Sequence, residues 1–173
     1  FVQFEVPEYK LSDERVYRAY SVASAPSEKG VVELEIRLVP HGICTTYVHQ
    51  FLKQGDPVTV NGPYGEFYLR DSDCELVFIA GGSGMAPIKS ILLDMAERGI
   101  ARKTRYFFGA RSARDLFLVD EMRALEKELP DFTFVPVLSQ PQPEDNWTGE
   151  HGLVTEIVGR DLADGARAQA YLC

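Results

Sequence analysis

Residues 76–87, LVFIAGGSGMAP, decide the fold of the second half of the chain. The five apolar residues 76–80 are typical of a strand that is covered on both faces, as in a parallel sheet. The glycines after them allow a tight turn, and Pro87 suits the first turn of a helix. Backbone N–H groups in such a turn approach a phosphate closely, and a helix N-terminus favours negative charge. The stretch therefore predicts a strand, a turn and a helix, with a candidate phosphate-binding loop between them.

Two other interpretations of this loop stay open. It can be a tight turn that binds no ligand. Alternatively, Ser83 between two glycines suggests the G-x-S-x-G nucleophile turn of serine hydrolases. Met85 stands where that pattern requires glycine, and no histidine or aspartate is arranged to suggest a triad. The loop also differs from the G-x-G-x-x-G dinucleotide fingerprint and lacks the lysine of a P-loop. Other motifs are therefore needed to decide among these interpretations.

The regions on either side of the loop differ in character. From residue 73 onward, apolar runs alternate with helical stripes in the order β-α-β-α-β-α-β, which predicts a doubly wound parallel sheet. Before residue 73, short segments at 16–23, 32–38, 56–60 and 66–69 are separated by Gly/Pro turns, and one helix is predicted over 44–52. Such a region predicts a small antiparallel β-barrel. We therefore predict a barrel domain at 1–72 and an α/β domain at 73–173.

Composition and charge exclude several classes of protein. The 173 residues carry 18 Lys and Arg against 26 Asp and Glu, a net charge of −8, which disfavours nucleic-acid binding. No apolar run approaches the ~18 residues of a membrane-spanning helix. Cys44, Cys74 and Cys173 lie too far apart for a zinc or iron–sulfur site within one chain, so we predict no metal and a reducing, cytoplasmic setting. Both ends have strand-like sequence, from which we expect a piece of a longer protein.

Two further motifs have the chemistry of a site for phosphates and an aromatic ring. In residues 18–21, RAYS, the arginine offers a bidentate fork for a phosphate, and the tyrosine projects from the same face of a strand. Residues 42–45, GICT, open the predicted short helix, where backbone amides and the Thr45 hydroxyl can bind a second phosphate. Each motif has a plainer interpretation: an edge strand with a surface arginine and a packed tyrosine, and an ordinary N-cap by Thr45 or Thr46.

Together the three motifs, on a barrel followed by a doubly wound sheet, resemble the ferredoxin–NADP reductase superfamily over essentially the whole chain. The resemblance implies that Arg18 meets the pyrophosphate of FAD, that Tyr20 stacks on the isoalloxazine ring, and that Ser21 lies near its N5 atom. It places a second contact to the FAD pyrophosphate at Gly42, Ile43, Cys44 and Thr45. The first barrel strands of the family and everything after Cys173 are absent, so both predicted domains are incomplete.

On the NAD(P) side, the resemblance makes Cys173 the cysteine that contacts the nicotinamide ring. No histidine is evidently placed to activate it, so we predict that Cys173 shapes the site and is not a covalent nucleophile. Tyr20, Ser21 and Cys173 are accordingly the residues expected beside the reacting rings. The remaining residues that we assign to dinucleotide binding are Gly81, Gly82, Gly84, Met85, Pro87, Ala110, Arg111 and Gln140.

Within the superfamily, the chain resembles reductases that carry a plant-type [2Fe–2S] domain ahead of the flavin domain. Residues 39–47 are similar to phenol-hydroxylase-type oxygenase reductases, and residues 141–149 to the flavin subunit of the sodium-pumping NADH:quinone reductase. The resemblance implies hydride transfer from NADH to FAD, then single-electron exit to an iron–sulfur centre in a missing N-terminal domain or a partner. It implies an iron–sulfur domain or ferredoxin, and an oxygenase or membrane quinone-reductase complex, as partners. The location would be cytoplasmic or on the cytoplasmic face of such a complex.

Two alternatives to this function stay open. The chain could be a non-catalytic electron-transfer or regulatory subunit that binds FAD and does not oxidise NADH. It could also be a piece that folds poorly and binds nothing on its own.

The coenzyme is predicted from one position after the third strand of the parallel sheet. NADPH users of the family carry arginine there, after a serine, whereas this chain carries Gln140 after Ser139, without a positive charge. We therefore predict a preference for NADH. Arg111 and Arg114 could reach the same pocket, but we expect them to face solvent or to pair with Asp115 and Asp120.

Overall fold

The structure is a computed structural model that describes residues 1–162 and 167–173. Within these residues, a three-stranded antiparallel sheet occupies the first part of the chain, and a five-stranded parallel sheet with helices on both faces occupies the rest. This order of an antiparallel β region followed by an α/β region confirms the predicted fold class.

The antiparallel sheet packs against one short helix. Its strands are β1 (Val2–Val6), β2 (Val16–Tyr20) and β3 (Val60–Asn61), in the spatial order β2-β1-β3, and the helix α1 spans Ile43–Gln50. Phe4 and Val6 turn inward from β1 and pack against Cys44 of α1, which forms a small apolar core. The predicted short helix is therefore confirmed.

Several predicted strands of this region are wrong in extent. Residues 66–69 form no strand, and residues 32–38 pair only through one bridge, between Val22 and Leu34. The alternation of apolar and charged residues over 32–38 predicts a half-buried strand, but its charged side is not wholly solvated, because the exposed Glu33 binds Lys89 in the second half of the molecule. Of residues 56–60, only Val60 belongs to the two-residue β3, and the Thr59 carbonyl accepts one hydrogen bond from the Glu5 amide of β1.

The parallel sheet has the predicted doubly wound architecture. Its elements in chain order are β4 (Glu75–Gly81), α2 (Met85–Glu97), β5 (Thr104–Ala110), α3 (Val119–Glu128), β6 (Phe132–Leu138), β7 (Glu150–His151), α4 (Val154–Asp161) and β8 (Ala168–Leu172). The spatial order is β7-β6-β5-β4-β8, with every pairing parallel. The two-residue strand β7 was not predicted.

The strands of this sheet bury side chains on both faces, which explains their continuous apolar runs. On one face, Phe78 and Tyr106 pack against α2 and α3. On the other face, Val77 and Phe107 pack against Ile157 of α4. The sheet is therefore fixed between two helical layers, and its carboxyl edge is a rigid support for the loops that follow each strand.

Polar contacts join the two sheets. Lys89 of α2 binds Glu33, and the Ser90 hydroxyl donates to the Ser24 carbonyl at 2.8 Å. The Tyr171 hydroxyl on β8 accepts from the Arg70 amide at 2.9 Å. The division of the chain at residues 72 and 73 stays a prediction. None of the helices within residues 1–162 and 167–173 has the length and apolar content needed to cross a membrane.

Candidate functional site

The loop after β4 is built almost entirely of main chain. Gly81 ends the strand and lies beside Gly109 at the end of β5, where a Cβ on Gly81 would stand 3.1 Å from the Gly109 carbonyl oxygen. Gly82 has a φ of +55°, in the left-handed region that favours glycine. A 3₁₀ turn over Gly82–Gly84 then leads directly into α2. This edge of the sheet therefore has room for a ligand next to the N-terminus of a helix.

The other predicted residues of this loop anchor it. The Met85 side chain is fully buried, and its sulfur accepts a hydrogen bond from the Tyr106 hydroxyl at 3.4 Å. Pro87 is buried in the first turn of α2, as expected for its position. These two residues fix the direction in which the helix leaves the loop.

Cys173 lies directly against the loop. Its amide donates to the Ile79 carbonyl at 3.0 Å, so the chain continues along β4 past the end of β8. A Cβ on Gly84 would come within 2.5 Å of the Cys173 carbonyl oxygen, which makes glycine necessary for this approach. Cys173 is exposed as a whole, but partial desolvation of its thiol raises the pKa of Cys173 above its usual value, so the thiol is protonated at neutral pH. This protonation state agrees with a role in shaping the site rather than in nucleophilic attack.

A cleft of about 510 Å³ runs along the carboxyl edge of the sheet. Its floor includes Gly81 and Gly109, and it is also lined by Ala110 and Arg111, both of which we assigned to dinucleotide binding. The Arg111 Nε donates to the Gln140 Oε1 at 2.8 Å, so these two candidate residues meet at its rim. Arg111 and Arg114 are both exposed, in agreement with the first of the two expectations for them, and neither pairs with Asp115 or Asp120 within residues 1–162 and 167–173.

Asp115, one of the two expected partners, is held by its own turn. It accepts hydrogen bonds from the Ser112 amide and hydroxyl, which hold the turn after β5 and lower the pKa of the Asp115 carboxyl. Arg114 lines the cleft without an ion pair among residues 1–162 and 167–173. Arg37 lines the cleft as well, so three arginines contribute positive charge to it.

The predicted flavin residues lie on β2 and just after it. Arg18 is exposed, and its guanidinium donates to the Tyr17 carbonyl at 2.8 Å, which leaves other donors of the fork toward solvent. Tyr20 is half-buried, packs edge-to-face on Phe4, and donates its hydroxyl to the Cys44 sulfur at 3.1 Å. Burial, together with this hydrogen bond, raises the pKa of Tyr20. The tyrosine ring is therefore held in a fixed position by two contacts.

The Gly42–Thr45 segment begins helix α1 next to this tyrosine. Gly42 is the N-cap, and within the described part of the chain no side chain caps the helix. The Thr45 hydroxyl accepts from the Val39 amide at 3.1 Å and donates to the Val39 carbonyl at 3.2 Å, so it closes the preceding turn. The Ile43 carbonyl accepts from the Tyr9 hydroxyl. Backbone amides, rather than the Thr45 hydroxyl, are thus the donors this segment can offer a phosphate.

The two groups of candidate residues meet between the sheets. Ser21 and Pro87 line one groove of about 370 Å³. A second cavity of about 390 Å³ has Glu35 and Arg37 on one side and Gly82 and Ser83 on the other. Glu35 and Arg37 were not among the predicted site residues. The alternation of residues 32–38 was their only signal, and it indicated a half-buried strand.

The sequence matches two family models. The model "Oxidoreductase FAD-binding domain" matches residues 2–68, and the model "Oxidoreductase NAD-binding domain" matches residues 78–173. Both sets of candidate residues fall inside the corresponding matches.

Three relatives illustrate the similarity. The chain is 44% identical over 175 residues to a Na(+)-translocating NADH-quinone reductase component of Actinobacillus succinogenes, covering 93% of this chain and 42% of that protein. It is 44% identical over 158 residues to the Phenol hydroxylase P5 protein of Acinetobacter pittii, covering 90% of this chain and 45% of that protein. The crystal structure of the Amycolatopsis cytochrome P450 reductase GcoB superposes with a TM-score of 0.86 at 32% identity, over 99% of this chain and 51% of that one. The chain thus spans less than half the length of these two curated relatives.

Proposed function

Because this chain belongs to the ferredoxin–NADP reductase family of FAD- and NAD-binding oxidoreductases, we propose that it oxidises NADH and passes the electrons, through FAD, to a one-electron iron–sulfur acceptor. Family membership confirms the resemblance carried by the three sequence motifs. The observation that carries the proposal is the meeting of the two halves: Ser21 shares a groove with Pro87, and Arg37 shares a cavity with Gly82. A donor ring and an acceptor ring that must touch need this kind of shared space.

The proposal that the chain binds NADH rests first on the floor of the cleft, which consists of main chain without side chains. Gly81 and Gly109 leave main chain facing the ligand, and the N-terminus of α2 favours the charge of a pyrophosphate. Arg111 and Arg114 add positive charge at the rim. Cys173, packed on Gly84 with a protonated thiol, borders the position proposed for the nicotinamide ring. These features support dinucleotide binding with the redox-active end toward β8.

The FAD side rests on Arg18, Tyr20 and the amides that begin α1. The exposed guanidinium of Arg18 is a partner for one phosphate, and the first-turn amides after Gly42 are partners for another. Tyr20, fixed by Phe4 and Cys44, offers a ring for stacking. Bound FAD would supply the chemistry that links a two-electron donor to one-electron acceptors. The protein itself would bind the cofactor, orient the rings and exclude water.

The proposal includes NADH as the preferred coenzyme. Gln140 brings no positive charge to the place where a 2′-phosphate would lie, and it holds Arg111 by a hydrogen bond. Glu144 is exposed on the turn that follows. The positive charge of Arg114 on the rim of the cleft would favour NADPH, so we expect the preference for NADH to be moderate.

The partners proposed for the chain follow the chemistry of its relatives. One relative is named as part of an NADH-quinone reductase, and the other as a phenol hydroxylase component. We therefore place the acceptor in an iron–sulfur domain or a ferredoxin that serves an oxygenase or a quinone-reductase complex. The corresponding location is the cytoplasm or the cytoplasmic face of such a complex.

An anaerobic titration tests the proposal. The protein is loaded with FAD and mixed with NADH, and the visible absorbance of the flavin is followed in a stopped-flow instrument. The proposal expects bleaching by NADH, with slower bleaching by NADPH at equal concentration. A flavin that dithionite reduces but NADH leaves oxidised would instead identify a non-catalytic FAD-binding subunit. Failure to bind FAD would overturn the proposal altogether.

A further inference from the structure

The segment that carries Glu33, Glu35 and Arg37 lies between the two sheets. Leu34 pairs with Val22 and packs toward the small core around Phe4. Because side chains of an extended segment alternate, Glu35 points away from that core, toward the parallel half of the molecule. Both carboxylate oxygens of Glu35 are buried, and neither has a hydrogen-bond partner among the described residues. A buried polar group without a partner is costly, which marks the position as one that a ligand can complete.

The charges around Glu35 disfavour its ionised form. Lys89 is buried and is already held by two carboxylates, Glu33 at 2.9 Å and Glu121 at 3.1 Å. Burial, opposed by Lys89 and reinforced by Glu33 and Glu121, raises the pKa of Glu35 to about 7. The groups that face this carboxyl or line its cavity are Glu33 and Arg37 on its own segment, Lys89 on α2, Tyr106 on β5, Arg114 and Asp115 on the following turn, and Glu121 on α3.

The cavity in front of Glu35 opens onto the glycine loop. Glu35 lines the same space of about 390 Å³ as Gly82 and Ser83. We infer that Glu35 is a binding residue of the dinucleotide site, and that it acts in its protonated form by donating a hydrogen bond to NADH. This inference rests on the function proposed above, because it assigns a further residue to the same site.

The negative charge of NADH favours binding to the protonated form of Glu35. NADH carries two phosphate charges, and an ionised Glu35 beside the loop would repel them. A neutral carboxyl instead donates one hydrogen bond to a phosphate or ribose oxygen and accepts another from a ribose hydroxyl. Binding above about pH 7 must then take up one proton, so affinity falls as the pH rises through the pKa of the free protein.

The test measures ADP-ribose binding as a function of pH. ADP-ribose carries the pyrophosphate and both riboses of NADH without the redox-active ring, so the FAD in the protein stays oxidised during the titration. For a single required proton, the dissociation constant should rise about 30-fold between about pH 6 and about pH 8.5. Glu35→Gln should bind at both pH values about as tightly as the unaltered protein does at the lower one, since the amide also donates a hydrogen bond. The matched control is Glu97→Gln at the exposed end of α2, which should keep the full pH dependence.

Calorimetry in two buffers of different ionisation enthalpy gives a second measurement that needs no variant. Near pH 8.5 the unaltered protein should take up about one proton on binding ADP-ribose. A flat pH profile, no proton uptake, or an equal slope in Glu35→Gln would overturn the inference. If NADH still reduces the flavin in that case, the proposed function stands and only the role of Glu35 fails. No ADP-ribose binding at any pH, together with no reduction by NADH, would overturn both.

Discussion

Replacement of Gly84 by alanine tests the contact between the glycine loop and β8. Gly84 has a φ of −62°, which alanine adopts without strain, so the substitution changes only the space around the new methyl group. That methyl would stand 2.5 Å from the Cys173 oxygen and 2.7 Å from its carbonyl carbon. The end of β8 must therefore move by nearly 1 Å to restore ordinary van der Waals contact.

The cost of this movement has two parts. Forcing a methyl group into a packed site costs about 1–3 kcal/mol, and the hydrogen bond from the Cys173 amide to Ile79 contributes roughly 1 kcal/mol that is weakened or lost. For a protein of this size, a loss of about 2–4 kcal/mol lowers the melting temperature by roughly 5–10 °C. The movement also displaces Cys173 from the proposed nicotinamide position, so flavin reduction by NADH should slow while FAD stays bound.

Gly159→Ala is the matched control for this substitution. Gly159 lies inside α4, and among the residues that the structure describes no neighbouring atom lies within 4 Å of the position of its added Cβ. Alanine there should stabilise the protein by about 0.5–1 kcal/mol, because glycine is a poor helix former. Thermal unfolding by circular dichroism compares the two variants, and stopped-flow reduction compares their activity. If the Gly84→Ala protein had the melting temperature and the flavin-reduction rate of the unaltered one, Cys173 could move at no cost. The close approach of Cys173 to Gly84 would then have no structural role.

The remaining predictions concern the two ion pairs of Lys89 and two proposed binding residues. Lys89→Met leaves Glu33 and Glu121 without their ammonium partner, so it should cost about 1–3 kcal/mol of unfolding free energy near pH 8 and less near pH 5, where the neighbouring Glu35, whose pKa is raised by burial to about 7, is protonated and adds no negative charge. Chemical denaturation at both pH values checks this, and the exposed Lys127→Met should show no such pH difference. Arg18→Ala should weaken FAD binding about 10- to 150-fold through loss of a charge-assisted hydrogen bond, and unchanged flavin retention in dialysis would contradict the assignment. Cys173→Ala should retain FAD but reduce its flavin more slowly with NADH; an unchanged stopped-flow rate would remove Cys173 from the site.

The parallel half of the fold could be predicted from the sequence because its signals are local and strong. A strand buried on both faces is an uninterrupted apolar run, and the apolar run predicted at 76–80 lies within β4. The glycine turn and Pro87 fixed the start of α2. Strand β7 was not predicted, because a strand of only two residues, Glu150 and His151, is too short to show an alternation of apolar and polar side chains.

The antiparallel half was predicted less well because its segments depend on distant partners. The alternation of residues 32–38 is a strand pattern, but its charged face also meets Lys89 and the glycine loop, while Glu33 and Arg37 stay exposed. Periodicity reports which side chains share a face; it does not report what that face meets. For the same reason Glu35 was missed, and so was the approach of Cys173 to Gly84, which exists only because β8 lies beside β4.

The bare floor formed by Gly81 and Gly109 constrains how this protein can evolve. A floor of main chain offers no side chain whose replacement would tune selectivity, and any larger residue at Gly81 would meet the Gly109 carbonyl. Substitutions that change coenzyme choice are therefore expected at the rim of the cleft, where the side chains of Arg114, Arg111 and Gln140 border the proposed dinucleotide position. Descendants of one ancestor can diverge in the nucleotide they accept while the turn itself stays the same.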